Sequence, residues 1–474
     1  MARARPRGRR PAAETRADRT AVDIPVWPGA LAAAVVALVY LTVASSGTFH
    51  FRPSLFPHHV LIADAWLHGQ LNVRNEIIAR RNQEFYRRYQ AALQQEMAKR
   101  GEQLSEAQWQ QFRSSITPPS AHDWTEVDGK YYGYWGPMVP ALLLPYVAVA
   151  GLQASDMLVS CLVGAATVLL TFLMLRRAGV AGLVRVDTSL CVALALLLGL
   201  GTVHFYLAVT GQVWFLSQTV ATFFLTLSIW LLLHGEAGAG WIVGAGAAFG
   251  ASLLSRASLM ATAPFFYLVI FALWRRRDAR AWPQLIRQAL AFSLPVIVAG
   301  LISLGYNHAR FGDAFESGAG IQILTGGNPL FREDYLAHGL FSLHYLPRNL
   351  YYYFFNPLLR HDASTGAISF DPWGNSMFLV TPALLYVLRA YRSGDWFNLA
   401  TWAGAGAALG LLLFYECTGW YQFGNRYLLD LMPLAILLIA TGMRGRLTRV
   451  AVVLIVLSIV VNAWGTYRFC AVQF

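Results

Sequence analysis

Apolar runs recur along this chain at membrane-crossing lengths, and arginine clusters punctuate them. A helix of about 17–25 apolar residues matches a hydrocarbon core of about 30 Å. Spans are expected at 28–46, 156–175, 188–208, 213–233, 240–255, 258–274, 288–305, 375–389, 396–415, 427–443 and 449–466. Of the 474 residues, 56% are hydrophobic and 13% are charged, so a soluble fold would leave much apolar surface in water. The expectation is an all-α polytopic membrane protein with about 11 transmembrane helices.

Charge sets the orientation. The net +12 resides largely in "RARPRGRR", "WRRRDAR" and "RGRLTR", which sit between or before apolar runs. These read as cytoplasmic anchors. They form no continuous patch, so nucleic acid is not an expected partner. The reading is a basic cytoplasmic tail over 1–27 and one membrane domain over 28–474, with the C-terminus outside. The first run is too long for a typical signal core and is expected to stay as an uncleaved span. Cys161, Cys191, Cys417 and Cys470 have neither disulfide-framework nor metal spacing.

"PMVPALLLPYVAVAG", Pro137 to Gly151, is short and contains three prolines. Counting it as a span would place the later arginine clusters outside, so it is expected to lie at the interface or against the bundle. The first outer loop then covers 47–154 and the second 306–374. Within the first, 74–116 is polar, with eight Lys/Arg against five Glu. It reads as two helices, with a stop at Gly101 and a capping box at Ser105 and Gln108. "FSLHYLPRNLYYYFFNPLL" has the aromatic density of an interfacial helix.

Polar residues gather at the outer ends of the spans. "PHHVLIADAWLHGQLNV" carries Asp64 on an amphipathic helix, with His59 one turn before it and His68 four residues after it. Asp64 fits a buried base or a solvated acid. "HDWTEVDGKYYGYWGP" holds Asp123, Asp128, Tyr131, Tyr132 and Trp135 around an Asp-Gly turn. Its rings suit sugar faces or headgroups. "ECTGWYQFGNRYLLDLMP" places Arg426 and Tyr427 at the membrane edge, where charge is costly and marks function. Arg426 suits phosphate, or a pair with Asp430. Arg256 in "SRASL" and Arg310 in "YNHARFGDAF" are further phosphate candidates. Arg310 has Asp313 as its other expected partner, and the acids and histidine there also permit a divalent metal. No spacing selects one, so no cofactor is certain.

The pattern resembles the GT-C superfamily of integral membrane glycosyltransferases, and looks like the bacterial branch related to protein O-mannosyltransferases and lipid A aminoarabinose transferases. The likeness rests on the first span, the large outer loop with an acid on a juxtamembrane helix, and the proline-rich segment before the second span. "WGPMVPALLLPYVAVAGLQASDMLVSCLVGA", "YNHARFGDAFESG" and "GWYQFGNRYLLDLMP" carry it. Many members have an Asp-Glu pair soon after the first span. Here "RPSLFPHH" has none, and Asp64 is the only acid between that span and Gly69.

The resemblance implies a plasma-membrane enzyme that moves a sugar from a polyprenyl-phosphate donor to a glycan, lipid or protein acceptor on the outer face, with inversion. Asp64 or Asp123 would be the base. Arg426, with Arg256 or Arg310, would hold the phosphate. His59, His68, Asp128, Tyr131, Tyr132, Trp135 and Tyr427 would line the substrate. A transporter or flippase, and a non-catalytic envelope-assembly protein, are the rival readings. A transporter tends to place its polar groups at mid-membrane.

Overall fold

The computed structural model describes residues 24–118, 121–275, 281–326, 329–361, 368–391 and 395–473. Most of the basic tail, 1–23, and residues 276–280 of the "WRRRDAR" cluster lie outside that set.

The chain is a helical, multi-pass membrane protein. Helix α1 (Trp27–Ala44) leads into the first loop, with α2 (His58–Leu67), α3 (Asn75–Lys99) and α4 (Glu106–Ser115). A hairpin of β1 (Thr125–Val127) and β2 (Lys130–Tyr132) follows, then α5 (Met138–Ala150). The bundle continues through α6 (Asp156–Val180), α7 (Thr188–Leu200), α8 (His204–Thr210), α9 (Val213–Leu232), α10 (Ala239–Ser255), α11 (Ala263–Arg275) and α12 (Trp282–Phe311). The second loop carries α13 (Ala319–Gly326), α14 (Pro329–His338) and α15 (Leu346–Leu350). Last come α16 (Met377–Val380), α17 (Val387–Ala390), α18 (Trp396–Phe414), α19 (Met432–Met443) and α20 (Arg449–Gln473).

Among the described residues, eight helices are long and apolar enough to cross a membrane, counting the 3-10 lead-ins of α11 and α19. The α7–α8 pair, bent by 55°, makes a ninth. The other two expected passes take different forms. Residues 240–255 form α10, a 17-residue helix. Residues 375–389 are broken into α16, a 3-10 turn over Pro382–Tyr386, and α17. Pro382 has no N–H to continue α16, which ends at Val380.

One end of the bundle collects the loops. Val213 N, at the start of α9, donates to Phe56 O at 3.2 Å. Gln218 Nε2 donates to Arg426 O at 3.0 Å, and Arg310 near the end of α12 donates to Gly133 O. A Cβ on Gly136 would sit 1.9 Å from Leu254 O, so only glycine lets the segment before α5 touch the end of α10. At the opposite end, Arg176 Nε holds Ile24 O at 2.6 Å and Arg177 Nε holds Leu233 O at 2.9 Å.

Helix α5 has 13 residues, about 20 Å at 1.5 Å per residue, which falls short of a hydrocarbon core. Its Val139, Leu143 and Val147 pack on Val60 and Ala63 of α2 and on Leu216 and Val220 of α9, while Val149 is exposed. The polar hairpin has the expected start and stop signals. Gly101 follows α3 at φ +75°. Ser105 Oγ accepts from Gln108 N at 3.3 Å, and Gln108 Oε1 accepts from Ser105 N at 3.0 Å. The aromatic segment after Phe341 is helical in short pieces, with Leu343, Tyr351 and Phe355 exposed.

Candidate active site

The two acids expected as bases have different surroundings. Asp64 is buried in α2, and Arg74 grips its Oδ2 through Nη2 at 2.8 Å and Nε at 3.2 Å. Gly69, at φ +71°, turns the chain after α2 so that Arg74 comes back to this face. His68 Nδ1 bonds Asp64 O at 2.8 Å and stands 3.8 Å from its carboxylate, with the ring half exposed. Asp64 is thus the anchor that ties α2 to the start of α3.

Asp123 lies between α4 and β1 with φ +60°, a left-handed conformation that Asp tolerates better than most side chains. Gln322 Nε2 of α13 donates to its Oδ1 at 2.9 Å, and His122 Nε2 stands 3.5 Å away. The Trp214 side chain lies near the carboxyl and favours its charged form. Burial raises its pKa above the usual carboxylate value, against the opposing pull of His122, the Trp214 side chain and the Arg426 charge. Tyr134 feels both Asp123 and Arg426, and burial pushes its phenol well up. Asp123, Trp214, Tyr134 and Arg426 therefore share one cluster, drawn from the first loop and the starts of α9 and the α19 lead-in.

Arg426 is 7% exposed. Its guanidinium carbon lies 5.3 Å from the Tyr427 ring, 5.5 Å from Phe215 and 6.0 Å from Trp214. Its Nε is buried without a partner. Among the described residues no carboxylate comes within 4.0 Å of it. The backbone on either side is fixed, with its N–H on Gln422 Oε1 at 3.1 Å and its carbonyl on Gln218. Aromatic faces stabilise a cation by about 0.5–2 kcal/mol, far less than the cost of desolvating it, so this charge suits an anion from outside the chain.

The alternative pairing of Arg426 with Asp430 does not form. Residues Arg426–Leu431 are a 3-10 helix, where four residues turn about 120° off a shared face instead of the roughly 40° of an α-helix. Asp430 instead takes Arg256 Nε at 3.0 Å, Arg256 Nη2 at 3.1 Å and Ser258 Oγ at 2.7 Å. Arg256 is accordingly neutralised, and its guanidinium lies 5.0 Å from the other candidate liner, Tyr427. Among the described residues Arg310 forms no ion pair with Asp313. It donates to Gly133 O, to Asn307 Oδ1 at 2.7 Å and to Tyr306 O at 3.2 Å, which locks α12 to the first loop.

The remaining expected liners divide between packing and exposure. His59 is buried, its Nε2 bonded to Ser217 Oγ at 2.8 Å and Val213 O at 3.1 Å, and burial pushes its pKa down to about 3. Its neighbour His58 stacks on Trp124 and is held near 4 by burial. Trp135 is buried against both histidines and Tyr134. Asp128 is exposed at the hairpin tip, with φ +51° ahead of Gly129 at +70°. Tyr131 O takes Val73 N at 2.8 Å, and Tyr132 packs on Phe311. Trp214, Tyr134 and Gln322 were missed from the sequence. Trp214 is one aromatic in an apolar run, and Gln322 reaches Asp123 from 199 residues away.

Among the described residues no group of three His, Cys, Asp or Glu side chains converges to hold a metal. At Tyr306–Phe315 the acceptor Asn307 Oδ1 already holds a guanidinium, and Asp313 Oδ1 takes Phe315 N at 2.9 Å.

The sequence matches no family model and no curated protein. Two solved structures are similar to it. One is the apo oligosaccharyltransferase of Archaeoglobus fulgidus, at TM-score 0.49 and 13% identity, covering 94% of this chain and 56% of that one. The other is the archaeal oligosaccharyltransferase AglB from Archaeoglobus fulgidus in complex with an inhibitory peptide and a dolichol-phosphate, at TM-score 0.43 and 12% identity, covering 94% and 55%. The chain spans about half the length of these two proteins.

Proposed function

We propose that the chain is a membrane glycosyltransferase of the GT-C type, which moves a sugar from a polyprenyl-phosphate donor to a cell-envelope acceptor on the outer face of the plasma membrane. The observation that carries this reading is Arg426, a buried guanidinium with no carboxylate partner among the described residues, in one cluster with the partly buried acid Asp123.

Each group has a role in a single displacement. The Asp123 carboxylate takes the proton of the acceptor hydroxyl as its oxygen attacks the anomeric carbon. The bond from that carbon to the phosphate oxygen breaks, and the lipid phosphate leaves with the electron pair. Arg426 binds the growing charge on the phosphate. Attack opposite the leaving phosphate inverts the anomeric centre. Arg256, already paired with Asp430, positions Tyr427 beside Arg426. The prenyl chain would lie in an apolar groove of about 480 Å³ between α10 and α12, lined by Val243, Ala247, Leu254, Leu294, Val298 and Ile302. Leu254 puts one end of that groove two residues from Arg256.

The test is transfer by the purified protein from radiolabelled polyprenyl-phosphate sugars to envelope acceptors. Label transfer that requires both Asp123 and Arg426 supports the reading. Movement of the intact lipid-linked sugar across vesicles, without transfer, would replace it with the flippase reading.

A further inference from the structure

We propose that Glu416 and Arg348 form a subsite for a hydroxyl group of the donor's sugar, next to the phosphate held by Arg426. The inference rests on that reading of Arg426.

Glu416 lies two residues beyond α18 and is 4% exposed. Its backbone is pinned: its N–H donates to Leu340 O at 3.0 Å, and its carbonyl accepts from Arg348 Nη2. Its carboxyl is not. Oε2 is buried with no hydrogen-bond partner. Arg348 is in a related position. Its Nη1 pairs with Asp334, yet its Nε is buried and unpartnered. Each unmet group costs about 1–3 kcal/mol. One is an acceptor and the other a donor, and a hydroxyl is both. Burial and the neighbouring Asp334 also push the Glu416 carboxyl up to about 7, so near neutrality it serves as donor or acceptor.

The place suits a sugar. Tyr415, just before Glu416, packs 6.0 Å from the Tyr427 ring, and Tyr427 lies against both Arg426 and Arg256. Cys417, just after it, feels the charges of both Arg426 and Arg348. Both chain neighbours of Glu416 thus adjoin the surroundings of the Arg426 guanidinium. Aromatic rings form the rim. Arg348 lies 5.0 Å from the Trp373 ring, and Trp373 packs on Phe331 and on Trp420, which is 37% exposed. Such rings receive the C–H faces of a pyranose or furanose.

The test measures binding to the full-length protein in nanodiscs. The probes are C55 polyprenyl phosphate and the same lipid phosphate esterified with glucose, mannose, galactose or arabinose. The wild type is expected to bind at least one ester about tenfold more tightly than the bare lipid phosphate, the worth of one or two hydrogen bonds. Glu416→Ala removes that difference and leaves bare-lipid binding within about twofold. Glu416→Gln, which keeps shape and fold, retains part of the difference. Three results overturn the proposal: no ester preferred by the wild type, the preference intact in both variants, or bare-lipid binding lost together with it. Wild-type protein that binds no lipid phosphate at all would overturn the glycosyltransferase reading itself. Loss of the sugar preference with intact dependence of bare-lipid binding on Arg426 supports both.

Discussion

Asp64 and Asp123 lie on the same loop, and their partners separate them. Arg74 neutralises Asp64, while Asp123 is held by Gln322 in the cluster with Trp214 and Arg426. Asp123→Asn is expected to lower transfer by roughly 10²–10⁴-fold with the fold intact, as for loss of a general base. Asp64→Asn is expected to leave kcat within a few-fold but to lower stability by about 1–3 kcal/mol, read from thermal melting. The reverse pattern would make Asp64 the base. Because burial raises the Asp123 pKa, its carboxylate protonates at a higher pH than an ordinary acid. The log of kcat/KM should therefore fall with unit slope on the acid side, with a midpoint above the roughly 3.9 of a free Asp. A midpoint at or below that value contradicts the assignment. Arg426→Lys keeps the charge and loses the planar fork, and is expected to reduce turnover roughly 10²-fold. The sequence offered Asp123 and Arg426 by residue type. It did not show that Asp430 belongs to Arg256, because that pairing spans 174 residues of chain and Arg426–Leu431 is a 3-10 turn. Glu416 stood unremarked in its motif, since an unpartnered carboxyl is visible only once its neighbours are placed.

At the scale of elements, local chemistry was the most legible. The capping box of Ser105 and Gln108, the stop at Gly101 and the Asp128-Gly129 turn depend on neighbours within a few residues, and each formed where expected. Ser105→Ala should destabilise the α3–α4 hairpin by about 1 kcal/mol, seen as faster amide exchange there, without reducing transfer. Contacts between elements were not legible. Nothing local in "YWGPMV" reveals that Gly136 touches the backbone of Leu254, 118 positions along the chain. A methyl group there must move one backbone or the other, so Gly136→Ala should cost about 1–3 kcal/mol in stability and reduce transfer by displacing α5 from α10. Unchanged melting and turnover would show that this contact opens freely. The broken segment 377–390 is a further case, because its apolar composition is that of a span while Pro382 divides it.

For the whole molecule, apolar runs read out the membrane class, because hydrophobic length acts independently of packing detail. The order of chain around the site was not readable, since Asp123, Trp214, Gln322 and Arg426 meet only through long-range packing. Helix α5 has 13 residues, shorter than a hydrocarbon core, so Lys130 and Gln153 are expected on the same side of the membrane. Single cysteines at both positions should react with an impermeant thiol reagent from outside intact cells, and labelling of Gln153→Cys only after permeabilisation would reverse the topology. The most direct test of the central claim is sugar transfer from radiolabelled polyprenyl phosphate by purified wild type, Asp123→Asn and Arg426→Lys, compared at equal folded protein. The account predicts transfer by the wild type and losses of roughly 10²-fold or more in each variant. Transfer at wild-type rates in both variants would contradict it.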